Sequence, residues 1–345
     1  MNKKKILHIT ESFGGGVTTA INTYVKNSPK FDHHLLAATR EGDETGEEGK
    51  TQFKTSLLLS RNLSSLKRAI QHIKKINPDV IHLHSTYAGF IFRLLPSIDK
   101  NKIVYTPHGF AFLRDDHPVL RKAYWFIEKV LTRRCKVIAG CGVDETNIAA
   151  SLNNKLITHS LVNVCEALVR KTPYRANKPI KIGMVGRITA QKGVSFFANV
   201  ANQFSGDVEF IWIGGGESDG VEVLKAAGVK VTGWLKRPEV LSQLEQLDLY
   251  FHTAAWDGFP VSVLEAVEMS LPILLREIGP FTAENLYCLK NEELAVSEIN
   301  KIIEGKDEAL KRALKNNKDI AFSHTCENLE KALTISYDYV VCANR

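Results

Sequence analysis

Two carboxylates, Asp257 and Glu265, stand at the ends of the almost wholly apolar segment DGFPVSVLEA, residues 257–266. Acidic side chains are costly to bring near a core unless something pairs with them. Pro260 suits the first turn of a helix, which places Asp257 in the preceding loop and Glu265 in the second turn. The two are not helix neighbours, so we expect each to reach a different part of one polar ligand that lies across the helix start.

The start of this helix offers backbone N–H groups, which favour an anionic or hydroxyl-rich part of a ligand. A pair of acids that hydrolyses glycosides is a competing interpretation. For either acid alone, a structural role as a loop, cap or solvated helix residue is the more common case. The residues that form the helix start, and that we expect to line the ligand, are Gly258, Phe259, Pro260, Val261 and Ser262.

Two cations follow a predicted strand in GMVGRITAQKG, namely Arg187 and Lys192. A strand, a turn that carries a guanidinium and an ammonium, and then a helix make a plausible diphosphate clamp. Both groups would offset charge that builds on a leaving phosphate. The alternative is a pair of solvated loop cations.

Glycines and a histidine also follow strands in the first half of the chain. Gly14–Gly16 come directly after the first predicted strand and open a helix, where a ligand can approach the backbone. Their spacing is not G-x-G-x-x-G, so a tight turn explains them equally well. His108, in YTPHG, is expected to be a hydrogen-bonding group or a structural histidine.

A metal site is not predicted. His82 and His84 alternate on one face of a strand, but no further cluster with metal-ligand spacing is visible. Neither H-E-x-x-H nor D-x-D occurs in the chain. We therefore expect no metal and no other cofactor.

Buried strands alternate with amphipathic helices, which predicts parallel sheets with right-handed crossovers. One series runs from KKILHIT to KVIAGC, and a second runs from KPIKIGMVG to LPILLRE. The segment VRKTPYRANKP, residues 169–179, is polar and contains two prolines, which is typical of a linker. Residues 40–54 are predicted to be a surface loop. Two doubly wound α/β domains therefore divide near residue 175, with the ligand expected in the crevice between them.

Composition favours an ordinary globular protein that is not a nucleic-acid binder. The chain has 345 residues, 44% hydrophobic and 24% charged, and 45 basic against 38 acidic residues give a net charge of +7. No export signal or membrane-spanning run is predicted, so the expected compartment is cytoplasmic. The basic, aromatic segment VLRKAYWFIEKVLTRRC could touch an anionic membrane, but a helix packed on a sheet is the favoured interpretation.

Taken together, these segments resemble the retaining glycosyltransferases of family four, often labelled "glycosyl transferases group 1". The resemblance runs from ILHITESFGGGV through PDVIHLH, YTPHG, VGRITAQKG and IGGGE to DGFPVSVLEAVEMSLPIL. It implies the GT-B fold, two Rossmann-like domains facing across a cleft. The boundaries expected are 1–172 for the N-terminal, acceptor-side domain and 173–325 for the nucleotide-sugar domain, with a last helix at about 326–345 that packs back on the first.

The resemblance also implies roles for the residues at matching positions. The catalytic set would be His108, which approaches the donor sugar, Arg187 and Lys192, which hold the diphosphate, and Asp257, which contacts sugar hydroxyls. Glu265 would bind the ribose of the donor. Gly15 and Gly16 would line the same site from the other domain.

Three positions depart from the family pattern. Its E-x7-E motif reads D-x7-E here, because Asp257 stands at the first position. Ser270 occupies a position where the family usually has glycine. The glycine-rich turn after the following strand is reduced to REIGPFTAEN, with one glycine, so no contact from that turn is implied.

The reaction implied is metal-independent transfer of a hexose-type sugar from a nucleotide-sugar, with a UDP-sugar favoured, to a glycan or lipid-linked acceptor in bacterial surface polysaccharide biosynthesis. The protein would work in the cytoplasm or at the inner face of the cell membrane. Two alternatives stay open: a sugar-nucleotide epimerase of the same architecture, and a non-catalytic nucleotide-sugar-binding subunit.

Overall fold

The computed structural model describes residues 3–11, 13, 15–38, 52–60, 62–114, 116–165, 168 and 179–342. They fall into two compact units. Unit 1 is drawn from Met1–Val164 and Thr325–Arg345, and unit 2 is Cys165–His324. Most of the predicted loop at 40–54 and nearly all of the predicted linker at 169–179 lie outside the described residues.

Unit 1 contains a seven-stranded parallel sheet with spatial order β3-β2-β1-β4-β5-β6-β7. The strands are β1 Lys5–Thr10, β2 Asp32–Ala38, β3 Thr55–Leu59, β4 Val80–His84, β5 Ile103–Thr106, β6 Val137–Gly140 and β7 Ile157–Ser160. The helices between them are α1 Gly15–Lys26, α2 Leu63–Ile76, α3 Ser85–Leu94, α4 Pro118–Leu131 and α5 Val143–Leu152. The strand order reverses between β1 and β4, so the topological switch point, where ligands of such sheets bind, lies at the carboxyl ends of these two strands.

Unit 2 contains a five-stranded parallel sheet with order β10-β9-β8-β11-β12. Its strands are β8 Ile180–Val185, β9 Val208–Ile213, β10 Lys230–Val231, β11 Leu249–His252 and β12 Ile273–Leu275. Its helices are α6 Val194–Ala201, α7 Ser218–Ala226, α8 Arg237–Glu245, α9 Val261–Glu268, α10 Gly279–Ala283, α11 Glu292–Ile303 and α12 Asp307–Ser323. The switch point lies between β8 and β11. The predicted doubly wound α/β arrangement is confirmed.

The last helix, α13 Cys326–Cys342, belongs to unit 1 and packs on its sheet. Leu333, Tyr337 and Val340 are fully buried there, in a cluster with residues of β1 and α1. The Tyr337 hydroxyl lies 2.9 Å from Nδ1 of His82 on β4. Helices α1 and α13 therefore cover the sheet face that carries His82.

Among the described residues, no helix is both long enough and apolar enough to cross a lipid bilayer.

Candidate functional site

Opposite charges meet at the switch point of unit 2. After β8 the chain passes Arg187 and forms a single 3-10 turn, Ala190–Lys192, while Asp257 lies in the loop after β11. The Lys192 ammonium forms an ion pair with Oδ2 of Asp257, and the two side chains are 19% and 17% exposed. Arg187 is exposed, and the structure assigns it no ion pair within the described residues. The structure thus joins two of the predicted site residues, on neighbouring strand ends.

Backbone contacts fix the two loops against each other. The Ala255 amide donates to Gln191 O at 2.8 Å, and the Thr253 hydroxyl donates to Lys192 O at 3.0 Å. Gly193 adopts a left-handed conformation with φ of 73°, and a Cβ there would lie 1.9 Å from Thr253 O. Because only glycine tolerates both conditions, this position sets how closely the loops approach.

A buried histidine that the sequence did not single out lies beside this ion pair. His252, the last residue of β11, has its Nε2 4.0 Å from Oδ2 of Asp257. That nitrogen is buried and has no hydrogen-bond partner within the described part of the chain. Burial, and next the charge of Lys192, hold the pKa of His252 well below its ordinary value, so the ring is neutral at neutral pH.

Glu265 has a different partner from Asp257. It lies in the second turn of α9, is only 1% exposed, and forms an ion pair with Arg237, the first residue of α8. Burial raises the pKa of Glu265, and the charge of Arg237 opposes that rise. The guanidinium is 47% exposed, so solvent reaches one side of the pair. Arg237 was missed because only the fold brings α8 to α9.

The start of α9 is anchored by the apolar residues between the two acids. Phe259 is 2% exposed and packs on the rings of His324, at 3.8 Å, and Phe281, at 5.6 Å between centroids. Its side chain is therefore structural, and only its backbone can serve a ligand. The helix begins at Val261, so Pro260 caps it, and the prediction that Pro260 lies in the first turn was wrong by one position.

Two further contacts complete the loop before α9. The Gly258 amide donates to Oδ1 of Asp257 at 3.0 Å, which orients that carboxylate. The Ser262 hydroxyl accepts a 2.8 Å hydrogen bond from Tyr250 on β11. Val261 and Ser262 remain half-buried, at the helix end that favours anions.

Of the three glycines predicted to follow β1, Gly14 lies outside the described residues, and Gly15 and Gly16 come after β1 as expected. Gly15 is the first residue of α1, and a Cβ on Gly16 would meet no atom within 4 Å. Packing by the described residues therefore does not require glycine at Gly16.

A row of histidines crosses the sheet of unit 1. His108, just after β5, has a left-handed backbone with φ of 52° and places Nε2 3.1 Å from Nδ1 of His84. His84 Nε2 lies 3.0 Å from His8 Nδ1, and His8 Nε2 lies 3.0 Å from His33 Nδ1. The sequence suggested His84 and His108 as candidate residues. It did not suggest His8 or His33, because these two join the row only through contacts between neighbouring strands.

Three histidine rings of unit 1 offer nitrogens close enough together to ligate a metal ion, namely His8 and His84 of the row and His82, which lies outside it. Their nitrogens are engaged in hydrogen bonds, however. His8 and His84 use theirs along the row, and His82 uses Nδ1 with Tyr337 and Nε2 with Thr106, at 2.9 and 2.8 Å. A metal ion would have to displace these bonds, so the geometry favours a hydrogen-bonded network.

Helix α4 overturns one prediction. The apolar face of its sequence, expected to pack on the sheet, is turned outward, and Val119 and Phe126 are 69% and 62% exposed. The acid Glu128 points inward and forms a 2.8 Å ion pair with fully buried Arg93. Because that buried ion pair needs the inner face of the helix, the apolar side is left outside. The residues of this surface, called the α4 stripe below, are Val119, Leu120, Phe126, Ile127 and Val130.

The α4 stripe is bordered by positive charge. Exposed cations at Lys122, Lys129 and Arg133 flank it, Arg121 is exposed on another side of the helix, and Glu128, the one acid of α4, is buried. The surface is thus both apolar and basic.

Comparison with known proteins gives consistent matches over both units. Residues 179–316 match the family described as "Glycosyl transferases group 1", and residues 14–142 match "Glycosyltransferase Family 4". An uncharacterized 41.2 kDa protein of the cps region of Klebsiella pneumoniae is 28% identical, over 88% of this chain and 89% of that protein.

Two further relatives have more specific names. The UDP-Gal:alpha-D-GlcNAc-diphosphoundecaprenol alpha-1,3-galactosyltransferase of Escherichia coli is 22% identical, over 69% of this chain and 66% of that protein. The crystal structure of Anabaena HepE in complex with UDP-glucose superposes with a TM-score of 0.76 at 15% identity, over 97% of this chain and 99% of that one. At 15% identity, the superposition shows that the two chains share a fold and nothing about activity.

Proposed function

We propose that this chain, which belongs to the family-four, group 1 glycosyltransferases of GT-B fold, transfers a hexose-type sugar from a UDP-sugar to a hydroxyl of a glycan or lipid-linked acceptor, with retention of anomeric configuration. The observation that carries the proposal is the meeting of Lys192 and Asp257 at the switch point of unit 2. The named E. coli relative, which uses UDP-Gal and a diphosphoundecaprenol acceptor, supports a role in surface polysaccharide biosynthesis.

The proposed reaction breaks the bond between the anomeric carbon and the diphosphate oxygen. The acceptor oxygen bonds to the same face of that carbon, and the acceptor proton passes to the leaving phosphate. Lys192 and Arg187 offset the negative charge that develops on the diphosphate. Asp257 accepts hydrogen bonds from sugar hydroxyls, and Glu265 accepts them from the ribose. The family resemblance further assigns donor contacts to His108, Gly15 and Gly16.

A donor panel tests the reaction. The protein is incubated with UDP-, GDP- and other nucleotide-sugars, with and without lipid-linked glycans, and release of nucleoside diphosphate is followed. We expect release that depends on the acceptor, and a product with the anomeric configuration of the donor by proton NMR. Epimerised donor without any acceptor would favour the epimerase, and donor binding without turnover on any acceptor would favour a binding subunit.

The variant Asp257→Ala separates the sugar side of the donor from the nucleotide side. Transfer should fall sharply, while affinity for free UDP in calorimetry should stay nearly unchanged, because Asp257 is assigned to the sugar. Equal loss of both would contradict this assignment.

We also propose that the α4 stripe docks on the inner face of an anionic membrane, where a lipid-linked acceptor would be met. Apolar side chains along one helix face, bordered by cations, match the boundary between acyl chains and acidic headgroups. Each apolar side chain of the α4 stripe would contribute roughly 1.5–3 kcal/mol to binding if the membrane buried it fully.

Vesicle sedimentation tests the docking surface. The wild-type protein should bind vesicles that contain phosphatidylglycerol more tightly than phosphatidylcholine vesicles, and salt should weaken the binding. The double variant Phe126→Ser/Ile127→Ser should lose most of it. Phe322→Ser is the matched control, since Phe322 is 84% exposed but lies on α12 of unit 2. Equal losses in the two variants would overturn the assignment of the surface to α4.

A further inference from the structure

We propose that His33, His8 and His84 act as positioning residues that fix the tautomer of His108, so that Nδ1 of His108 is a hydrogen-bond acceptor for a hydroxyl of the donor sugar. The inference rests on the proposed function in one respect, namely that the donor sugar lies at His108. The fixed tautomer itself follows from contacts within unit 1.

The row ends at a group that can only accept hydrogen bonds. Nε2 of His33 lies 3.0 Å from Ser28 O and 3.1 Å from the Ser28 hydroxyl oxygen. That hydroxyl donates its own proton to Tyr24 O, so it faces the imidazole as an acceptor. Nε2 of His33 therefore carries the proton, because a bare nitrogen would face two acceptors.

The rings of the row are neutral. Burial lowers the pKa of His8, His33, His84 and His108, in the last case to about 4. A neutral imidazole has one N–H and one lone pair. In His33 the proton sits on Nε2, so its Nδ1 must accept a hydrogen bond.

The proton positions on the other rings follow from that of His33, one ring at a time. His8 donates from Nε2 to His33, so Nδ1 of His8 accepts. His84 donates from Nε2 to His8, and its Nδ1 accepts from Nε2 of His108. What remains is the lone pair on Nδ1 of His108, which has no partner within the described residues.

Orientation, not proton transport, is the role that this row can fill. A proton wire needs a group at its far end that can take up a proton, and a peptide carbonyl such as Ser28 O is a very weak base. The backbone near His108 is also held in place, since the Glu145 carboxylate accepts from the Gly109 amide at 2.5 Å. Both features favour a ring with one fixed position and one fixed tautomer.

The consequence for the substrate is a requirement for a proton donor. A sugar hydroxyl can donate to the lone pair on Nδ1, whereas a fluorine at the same position cannot. The row thereby makes one hydroxyl of the donor sugar a determinant of binding.

NMR of the ¹⁵N-histidine-labelled full chain tests the tautomer independently of any activity. We expect His108, assigned by the loss of its signals in His108→Asn, to show a protonated Nε2 and an unprotonated Nδ1 at neutral pH. A protonated Nδ1, or one equivalent of zinc in the purified protein, would overturn the inference, since zinc needs the lone pairs that the row uses.

Binding of deoxyfluoro UDP-sugars, each lacking one hydroxyl, tests the role of the row. For the wild type, one position should weaken binding about tenfold, as expected for a lost hydrogen bond. His33→Leu should shrink that penalty and leave affinity for free UDP within about twofold, while His33→Gln, which keeps a donor and an acceptor, should restore it. His34→Leu, on the same strand but outside the row, is the control.

A double-mutant cycle separates positioning from mere folding. In a His108→Ala background, His33→Leu should cause no further change in donor affinity. An equal loss with and without His108 would show that His33 acts through stability and would overturn the inference. If no nucleotide-sugar binds at all, the proposed function fails, and the NMR result still decides the tautomer.

Discussion

The two sheets place opposite kinds of polar group at their carboxyl ends. Unit 2 carries ions, Lys192 with Asp257 and Arg237 with Glu265, and solvent reaches at least one member of each pair. Unit 1 carries histidines such as His84 that are fully buried and neutral. An ion loses most of its hydration when fully buried, whereas a neutral imidazole needs only two hydrogen bonds. Charge at the switch point of unit 2 is thus kept where a charged ligand would be met, whereas the buried histidines of unit 1 are neutral groups that orient. The fully buried ion pair of unit 1, Arg93 with Glu128, joins α3 and α4.

A change of charge should therefore have different effects in the two units. Removing a charge in unit 2 should change the chemistry and leave the fold intact, because solvent reaches at least one member of each ion pair. Adding a charge to His8, His33 or His84 should weaken the fold of unit 1, because these three rings are buried.

The largest effect is expected for Lys192→Met. Loss of the ammonium removes charge stabilisation from the leaving diphosphate, so kcat should fall by about 10²–10³, or about 3–4 kcal/mol of barrier. UDP release at saturating donor measures it. Lys225→Met is the control, since Lys225 is an exposed cation of unit 2 that pairs with Glu222 on α7. A tenfold or smaller loss would place the diphosphate elsewhere.

Glu265→Gln should weaken donor binding next most strongly. A hydrogen bond to a charged group contributes about 1.5–3 kcal/mol, which corresponds to about 10- to 100-fold in Kd for UDP by calorimetry. Glu268→Gln changes an exposed acid on the same helix and should leave the Kd unchanged. Unaltered UDP affinity in Glu265→Gln would refute the ribose assignment.

Mild acid should destabilise unit 1 more than unit 2. The pKa values of His8, His82 and His84 are held well below 6.5, so the unfolded chain binds protons that the folded chain does not, and stability falls as the pH drops below 6.5. Between pH 7.5 and 6.0 the three together should cost unit 1 about 2 kcal/mol. Glu145, whose pKa is raised by burial, acts in the opposite sense.

Hydrogen exchange read separately for each sheet measures this difference. Amides of β1, β4 and β5 should lose more protection at pH 6.0 than amides of β8, β9 and β11. Unit 2 contains His252, whose pKa is also lowered, but it has no row of such rings within the described residues. Equal loss in both sheets would contradict the contrast drawn between the two units.

The sequence predicted the architecture well because alternation of buried strands and amphipathic helices is a local signal. It also indicated which loops follow strands, and hence that Lys192 and Asp257 come from strand ends of the same sheet. It could not indicate Arg237 or His33, because their partners, Glu265 and His8, are set by helix and strand neighbours that the chain order does not specify.

Helix α4 shows a different reason for failure. Its apolar periodicity gave the helix correctly but not the direction in which the apolar face points. That direction depends on Glu128, whose buried partners, Arg93 and the Tyr105 hydroxyl at 3.1 Å, lie on α3 and β5. A periodic pattern predicts two faces, and only tertiary contacts decide which of them is inside.

The smallest effect concerns the far end of α9, the helix that carries Glu265. Ser270 follows the helix with a left-handed φ of 55°, where the family usually has glycine. A side chain in that conformation costs about 1–2 kcal/mol. Glycine gives back about 0.4–1 kcal/mol because it makes the unfolded chain more flexible, so Ser270→Gly should stabilise unit 2 by about 0.5–1 kcal/mol in urea unfolding. Donor affinity should stay unchanged, because the site lies at the other end of the helix.

Gly228 provides the reciprocal control. It follows α7 with φ of 73°, and its Cβ position is open. The amides of Gly228 and the next residue close the helix end with the same pair of hydrogen bonds as the amides of Ser270 and the residue after it. Gly228→Ser should therefore destabilise unit 2 by the amount that Ser270→Gly stabilises it. Because neither change touches a charge, both should leave the ion pairs and the activity intact. If Ser270→Gly gave no gain while Gly228→Ser gave a loss, the serine side chain would be making a compensating contact, and the departure from the family pattern at Ser270 would be a structural adaptation of α9.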